Sequence, residues 1–189
     1  MDKTFATLQS KYCKLPLYAI NSAKNILHRS HLKSLYYALV HPYLDYGVML
    51  WGTALKRDTK PLNTLQKKAI RIINNANYNA HTTPLFKSSN ILMFEDMYKL
   101  HICKFMYQCT KDALPSGLSG IFTANAHLHC HNTRQRYDPH VISKCTACAM
   151  QSVLHKGPQL WHKLPNTIKD TKTLHSFNKA LKSHFITFY

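Results

Sequence analysis

The amino-acid sequence predicts a mainly α-helical protein, with a helical bundle at residues 1–113 and a smaller α-rich tail at residues 114–189. Three observations support this fold class. Apolar residues recur at helical spacing in several long segments, and strict strand-like alternation is scarce. Pro115, Gly117 and Gly120 interrupt the helical pattern between the two parts. At most one or two short strands are expected.

The first third of the chain predicts two helices and an apolar continuation. Apolar spacing indicates a helix over about residues 4–27, which Pro16 bends or breaks. Ser30 is a suitable N-cap for the next helix, and Pro42 must bend or restart that helix. The run that follows is almost wholly apolar as far as Trp51. We therefore expect it to lie in the core, with Trp51 as an anchor.

The middle of the chain predicts one short and two long helices. Pro61 suits a first helical turn, so a helix is expected from Pro61 to about Asn75. A short helical stretch over 83–89 has Pro84 near its start. A long helix over about 92–111 has a wide apolar face.

The tail turns polar and histidine-rich over residues 124–148. One or two short strands are expected around 137–144, and a compact helix over 147–155. Trp161 lies among apolar neighbours and is predicted to be a second core anchor rather than a stacking platform. A last helix is expected over about 173–187.

The size and composition indicate a globular protein that does not enter a membrane. The chain has 189 residues, of which 45% are hydrophobic, so it can bury a core. The longest apolar stretch contains Lys33, His41, Pro42 and Asp45, which would be costly to place in lipid. Six cysteines are scattered, and the N-terminal sequence lacks the apolar run of a secretion signal. Reduced thiols and a nuclear or cytoplasmic location are expected.

Positive charge is the strongest compositional signal. The 25 Lys and Arg against 8 Asp and Glu give 25 − 8 = +17 with neutral histidines, and the isoelectric point is about 9.7. Such an excess favours a polyanionic partner over a merely solvated surface. Thirteen histidines would strengthen the attraction to phosphate below neutral pH.

Catalytic motifs are missing from the sequence. Glu95 is the only glutamate, and its only acidic neighbour is Asp96. No GxSxG elbow, HExxH helix or glycine-rich phosphate loop occurs. Asp45 lies in YLDYG, but two-metal chemistry needs clustered carboxylates and the chain contains no Asp-Asp pair. No catalytic residue and no cofactor are predicted.

A histidine and cysteine cluster in the tail admits two interpretations. The CTAC segment can supply two thiolates for a structural zinc, and the histidines and the cysteine over residues 127–131 can supply two further ligands. We favour the second interpretation, in which CTAC simply begins an apolar helix and the chain has no metal site. The residues concerned are His127, His129, Cys130, His131, Cys145 and Cys148.

Basic residues on a predicted helix are the main candidates for binding. Lys67, Lys68 and Arg71 lie at i, i+1 and i+4, opposite the apolar stripe. Each residue alone is more typical of a solvated charge, but together they predict a surface that contacts phosphates. The full set of nucleic-acid-binding candidates is Lys56, Arg57, Lys60, Lys67, Lys68 and Arg71, with Arg134, Arg136 and Lys144 as a second group beside a possible stacking residue, Tyr137.

Several segments resemble one family of polymerases. LKSLYYALVHPYLDYGVMLWG, LNTLQKKAIRIINN and HTTPLFKSSNILMFEDMYKLHICKFMY follow one another as in the region after the polymerase palm of non-LTR (LINE-type, jockey-like) retrotransposon reverse transcriptases. NTRQRY, GPQLWHKLPNTIKD and LHSFNKALKSHF resemble the C-terminal tail of the same proteins. These segments cover most of the chain in the same order.

The resemblance implies a truncated thumb and tail of an RNA-directed DNA polymerase, without the palm that holds the catalytic metals. Such a fragment would grip RNA, an RNA–DNA hybrid or a DNA duplex through phosphate contacts and would not be an enzyme by itself. Two alternatives remain open. The first is a degenerate transposon remnant, and the second is a protein-interaction module that exposes apolar surface.

Overall fold

The computed structural model describes residues 14–46, 48–52, 54, 56–118, 120–128, 136–143 and 146–189. These residues are mainly helical and include no strand, which confirms the predicted fold class. They form two compact units. The first combines the residues up to Tyr98 with Ser183–Tyr189, and the second comprises Lys99–Lys182. The predicted boundary after residue 113, between a helical bundle and a tail subdomain, stays a prediction.

The first unit is built from short helices around one long helix. They are α1 (Lys14–Ala23), α2 (Arg29–Leu39), α3 (His41–Asp45), α4 (Val48–Trp51), α5 (Lys56–Ile73), α6 (Thr83–Ser89) and the beginning of α7 (Phe94–Thr110). Helices α1, α2 and α5 pack against one another, and α6 packs on α5. The largest fully buried side chains of this unit are Ile20, Tyr36, Leu44, Leu62, Ile70, Ile73, Phe86 and Ile91.

Two predicted helix starts are wrong. The N-cap of α2 is His28, not Ser30, and the His28 ring accepts a hydrogen bond from the Ser30 main-chain N–H at 3.4 Å. Helix α5 begins at Lys56 and holds Pro61 in its interior. Pro61 is exposed, so its ring meets solvent, and the missing N–H costs only one hydrogen bond near the helix start. By contrast, the helical structure restarts around Pro42 as predicted, because α3 begins at His41 and has Pro42 in its first turn.

The apolar run after Pro42 is only partly buried. Leu44 and Val48 lie in the core, whereas Tyr43 is 40% exposed and Tyr46 is 72% exposed. The prediction that the whole run is core is therefore wrong for its tyrosines, because Tyr43 lies on the outer side of α3 and Tyr46 is the exposed C-cap of that helix. The side chain of Trp51 lies outside the described part of the structure.

Gly52 closes α4 at a position where no side chain fits. Its N–H donates to the Val48 carbonyl at 2.8 Å. A Cβ at Gly52 would overlap the buried Tyr98 ring, with Cε2 only 2.8 Å away. The glycine is therefore required by the close approach of α4 to the beginning of α7.

We expect Gly52→Ala to lower the free energy of unfolding by about 2 kcal/mol, because overpacking forces a buried ring to move. Urea unfolding monitored by circular dichroism measures the loss. Gly117→Ala is the matched control, since a Cβ there meets nothing within 4 Å. Equal stability of the two variants would contradict the packing argument.

The second unit continues α7 and adds several short helices and one long one. A 3-10 turn at Ser116–Leu118 precedes α8 (Asn125–Leu128), α9 (Ala147–Met150), α10 (Val153–Lys163), α11 (Asn166–Lys169) and α12 (Leu174–Thr187), whose last residues belong to the first unit. The prediction of one helix over 147–155 is wrong. Ser152 has extended backbone angles and separates α9 from α10.

The core of the second unit is aromatic. The rings of Tyr107 and Phe177 stack with centroids 4.5 Å apart, and Trp161 lies 6.1 Å from Phe177. The Tyr107 hydroxyl donates to the Thr171 carbonyl at 2.7 Å. Trp161 is 3% exposed, which confirms it as a core anchor.

In the polar part of the tail, the described residues form one antiparallel bridge and no strand. The bridge joins Ala124 and Pro139, and the Ala126 N–H donates to the Arg136 carbonyl at 2.7 Å.

Nowhere in the described ranges does a helix combine the length and the apolar character that crossing a membrane requires.

Candidate nucleic-acid interface

Helix α5 has one buried side and one basic side. The buried positions are Thr59, Leu62, Gln66, Ala69, Ile70 and Ile73. At about 100° per residue, these positions span about 100° of the helix circumference. The sequence forms a helix here because apolar residues recur every three or four positions, so that burying them turns the remaining positions toward solvent.

The basic side of α5 carries four of the predicted binding residues whose side chains are described. Lys60 and Lys67 are exposed, and Lys68 and Arg71 are half-buried. Their positions fall within about 100° of the circumference, opposite the buried side. We call Lys60, Lys67, Lys68 and Arg71 the α5 basic face. Lys56 and Arg57 lie in the first turn of α5, and their side chains are outside the described part of the structure.

Negative charge is nearly absent from α5. Asp58 is its only acidic residue and lies in the first turn, so no carboxylate occurs along the helix from Lys60 to Arg71. The three lysines of the α5 basic face make no ion pair with another described residue. Their charges therefore add to one another instead of being neutralised locally.

A buried amide fixes the rotation of α5. The Gln66 Nε2 donates to the Tyr36 hydroxyl at 3.0 Å and to the Leu92 carbonyl at 2.8 Å. The Gln66 Oε1 accepts the Phe94 N–H at 2.8 Å. Gln66 is 1% exposed, and the sequence reasoning missed it. The available signal was a polar residue within the apolar stripe of the predicted helix.

Arg71 is more constrained than the sequence predicted. Its Nε donates to the Ala80 carbonyl at 3.0 Å, and its guanidinium carbon lies 5.9 Å from the centre of the Tyr78 ring. One nitrogen of the guanidinium therefore holds the loop after α5. The remaining donors still add positive charge to the end of the α5 basic face.

The second predicted basic group can be followed at one residue only. Arg136 is half-buried, and its guanidinium carbon lies 5.9 Å from the centre of the Tyr137 ring. Its Nε is buried without a hydrogen-bond partner among the described residues. Arg134 and Lys144 lie outside the described residues. The structure thus brings together the first group and leaves the second as a prediction.

Nucleophilic and metal chemistry find little support among the described residues. Burial raises the pKa of the Cys103 thiol to about 12, despite the opposing effect of Lys99, and burial also raises the pKa of Cys109. Cys103 therefore stays protonated at neutral pH. No cluster of three or more metal-binding side chains occurs in the described ranges. The zinc candidates His129, Cys130, His131 and Cys145, and the side chains of His127 and Cys148, lie outside those ranges.

A pocket of roughly 470 Å³ lies beside α6, and the sequence reasoning did not predict it. It is lined by His81, Thr83, Pro84, Lys87, Ser88 and Tyr189. The Lys87 ammonium donates to the main-chain oxygen of Tyr189 at 2.9 Å. The pocket is therefore partly basic, but its lysine already has a partner.

Comparison with known proteins adds no relative. No family model, curated protein or solved structure matches the chain. The features that bear on function are consequently the α5 basic face and the residues around it.

Proposed function

We propose that this protein binds nucleic acid through phosphate contacts of the α5 basic face and has no catalytic activity of its own. The carrying observation is that Lys60, Lys67, Lys68 and Arg71 share one side of a long helix whose opposite side is buried. The sequence resemblance supports a thumb and tail of a LINE-type reverse transcriptase. In that assignment the ligand is the template–primer duplex, and a palm elsewhere performs DNA synthesis.

The spacing of the cations suits a regularly charged strand. The helix rises about 10 Å from Lys60 to Lys67 and about 6 Å from Lys67 to Arg71. Each strand of B-DNA carries one phosphate per about 3.4 Å of axis. Because lysine side chains are long and flexible, cations at these separations can reach separate phosphates of the nucleic acid.

Such contacts provide affinity without sequence recognition. One exposed ion pair contributes little, about 0–1 kcal/mol. Several lysines on one face act together, because each phosphate that they neutralise releases condensed counterions. Binding should therefore weaken steeply with salt and depend little on base sequence.

The test is a triple variant, Lys60→Gln, Lys67→Gln and Lys68→Gln. We expect the slope of log K against log salt concentration to become shallower by about 2–3, since each lost phosphate contact removes about 0.9. Fluorescence anisotropy with a labelled RNA–DNA duplex over a series of salt concentrations measures this slope. Arg71 is kept, because it also holds the loop after α5.

The matched control is Lys163→Gln, Lys172→Gln and Lys179→Gln, which replaces three exposed lysines of the second unit. Both triple variants have the same formal charge, 17 − 3 = +14. An equal loss of binding in both would show that net charge, and not the α5 basic face, carries the affinity. No binding by the natural sequence, combined with self-association at low salt, would favour protein interaction through exposed apolar residues such as Leu15 and Ile26.

A further inference from the structure

The loop after α5 holds an exposed tyrosine in a fixed position. Helix α5 ends in a Schellman motif: the Ala76 N–H donates to the Arg71 carbonyl at 2.9 Å, and the Asn75 N–H donates to the Ile72 carbonyl at 3.1 Å. Asn75 has the left-handed backbone that this motif requires, with a φ of 46°. The chain then folds back, and the Ala80 N–H donates to the Asn77 carbonyl at 3.0 Å.

Arg71 connects this loop to the α5 basic face. Its main-chain carbonyl accepts a hydrogen bond from the Ala76 N–H, and its Nε donates one to the Ala80 carbonyl. Its guanidinium lies near the Tyr78 ring, within the range of a cation–π contact. Tyr78 is nevertheless 76% exposed, so most of the ring remains accessible to a ligand.

We propose that Tyr78 stacks against an unpaired nucleobase of a strand whose phosphates lie on the α5 basic face. The inference rests on the proposed function and names the class of ligand, a nucleic acid with a single-stranded portion. Bases stack on aromatic side chains whatever their identity, and cations beside the ring hold the backbone. Bases inside a duplex are stacked on both faces, so a blunt duplex offers Tyr78 no unpaired base.

The residues around Tyr78 fit this ligand. Asn77 and Asn79 are exposed and flank the tyrosine. Their amides can each donate and accept hydrogen bonds, as the edge of an unpaired base requires. No acidic residue lies between Lys60 and Asn90 in the sequence, so this loop carries no carboxylate that would repel phosphate.

The experiment compares three labelled ligands by fluorescence anisotropy at constant salt. They are a blunt RNA–DNA duplex, the same duplex with a short single-stranded extension, and the extended duplex with abasic sites in the extension. RNA and DNA extensions are both used, because stacking alone does not distinguish them. The proteins are the full chain and the variants Tyr78→Ala, Tyr78→Phe and Tyr18→Ala. Tyr18 is the control because it is 72% exposed but lies on α1.

The natural sequence should bind the extended duplex about tenfold more tightly than the blunt duplex, the size expected for one stacked base. Tyr78→Ala should lose this difference, as should the abasic extension, and the two losses should not add. Tyr78→Phe and Tyr18→Ala should retain it. If Tyr78→Ala keeps the preference for the extended duplex, or if the natural sequence shows no such preference, the stacking proposal is overturned. The proposed function still stands in that case, provided that both duplexes bind. If neither duplex binds at low salt, both proposals are overturned.

Discussion

Gln66→Leu is expected to lower the free energy of unfolding by about 3–5 kcal/mol. Leucine has a similar volume, so the main loss comes from the polar groups that the amide serves. The Leu92 carbonyl and the Phe94 N–H lose their side-chain partner in a buried environment, and the Tyr36 hydroxyl loses one hydrogen bond. Each buried polar group left without a partner costs about 1–3 kcal/mol.

Urea unfolding of the two proteins measures this loss. Thr64→Leu provides the control, since Thr64 is exposed on the same helix and its hydroxyl donates to the Lys60 carbonyl within α5. Substitutions of that kind usually change stability by less than about 0.5 kcal/mol. A Gln66→Leu protein as stable as the control variant would mean that the amide is not the connection between α5 and its neighbours.

Gln66 also shows where sequence reasoning reached its limit. Apart from the start of α5, the apolar periodicity predicts the helix and the direction of its buried side, because both depend on residues within one helical segment. The partners of Gln66 lie 26 to 30 residues away in sequence. Which distant groups satisfy a buried amide depends on tertiary packing, so the pattern alone left Gln66 as an unexplained polar residue.

The candidate interface could likewise be predicted from the sequence only in part. The exposure of Lys60 and Lys67 follows from their positions opposite the apolar stripe, and it could be predicted. The engagement of Arg71 with Ala80, and the placing of Tyr78 beside it, depend on a left-handed residue at Asn75. Asparagine tolerates that conformation but also adopts others, so a sequence containing several asparagines does not specify where the chain turns back.

The polar centre of the second unit is Asp138, a residue that sequence reasoning did not single out. Its Oδ1 accepts the Trp161 indole N–H at 3.2 Å, and its Oδ2 accepts the Lys169 ammonium at 3.3 Å. The side chains of Asp138 and Lys169 are only 20% and 12% exposed. His162 Nε2 lies 4.0 Å away, which is too long for a hydrogen bond.

Asp138→Ala is therefore expected to cost about 3 kcal/mol of unfolding free energy, because it leaves a nearly buried ammonium and an indole N–H without their acceptor. Lys169→Met should cost less, since it removes the cation but keeps the Trp161 hydrogen bond. In the double variant the uncompensated ammonium is gone, so the combined loss should fall short of the sum by about 1–2 kcal/mol. Thermal and urea unfolding of the natural sequence, the two single variants and the double variant provide the double-mutant cycle. Strict additivity would show that Asp138 stabilises the tail through Trp161 and the adjoining backbone, independently of Lys169.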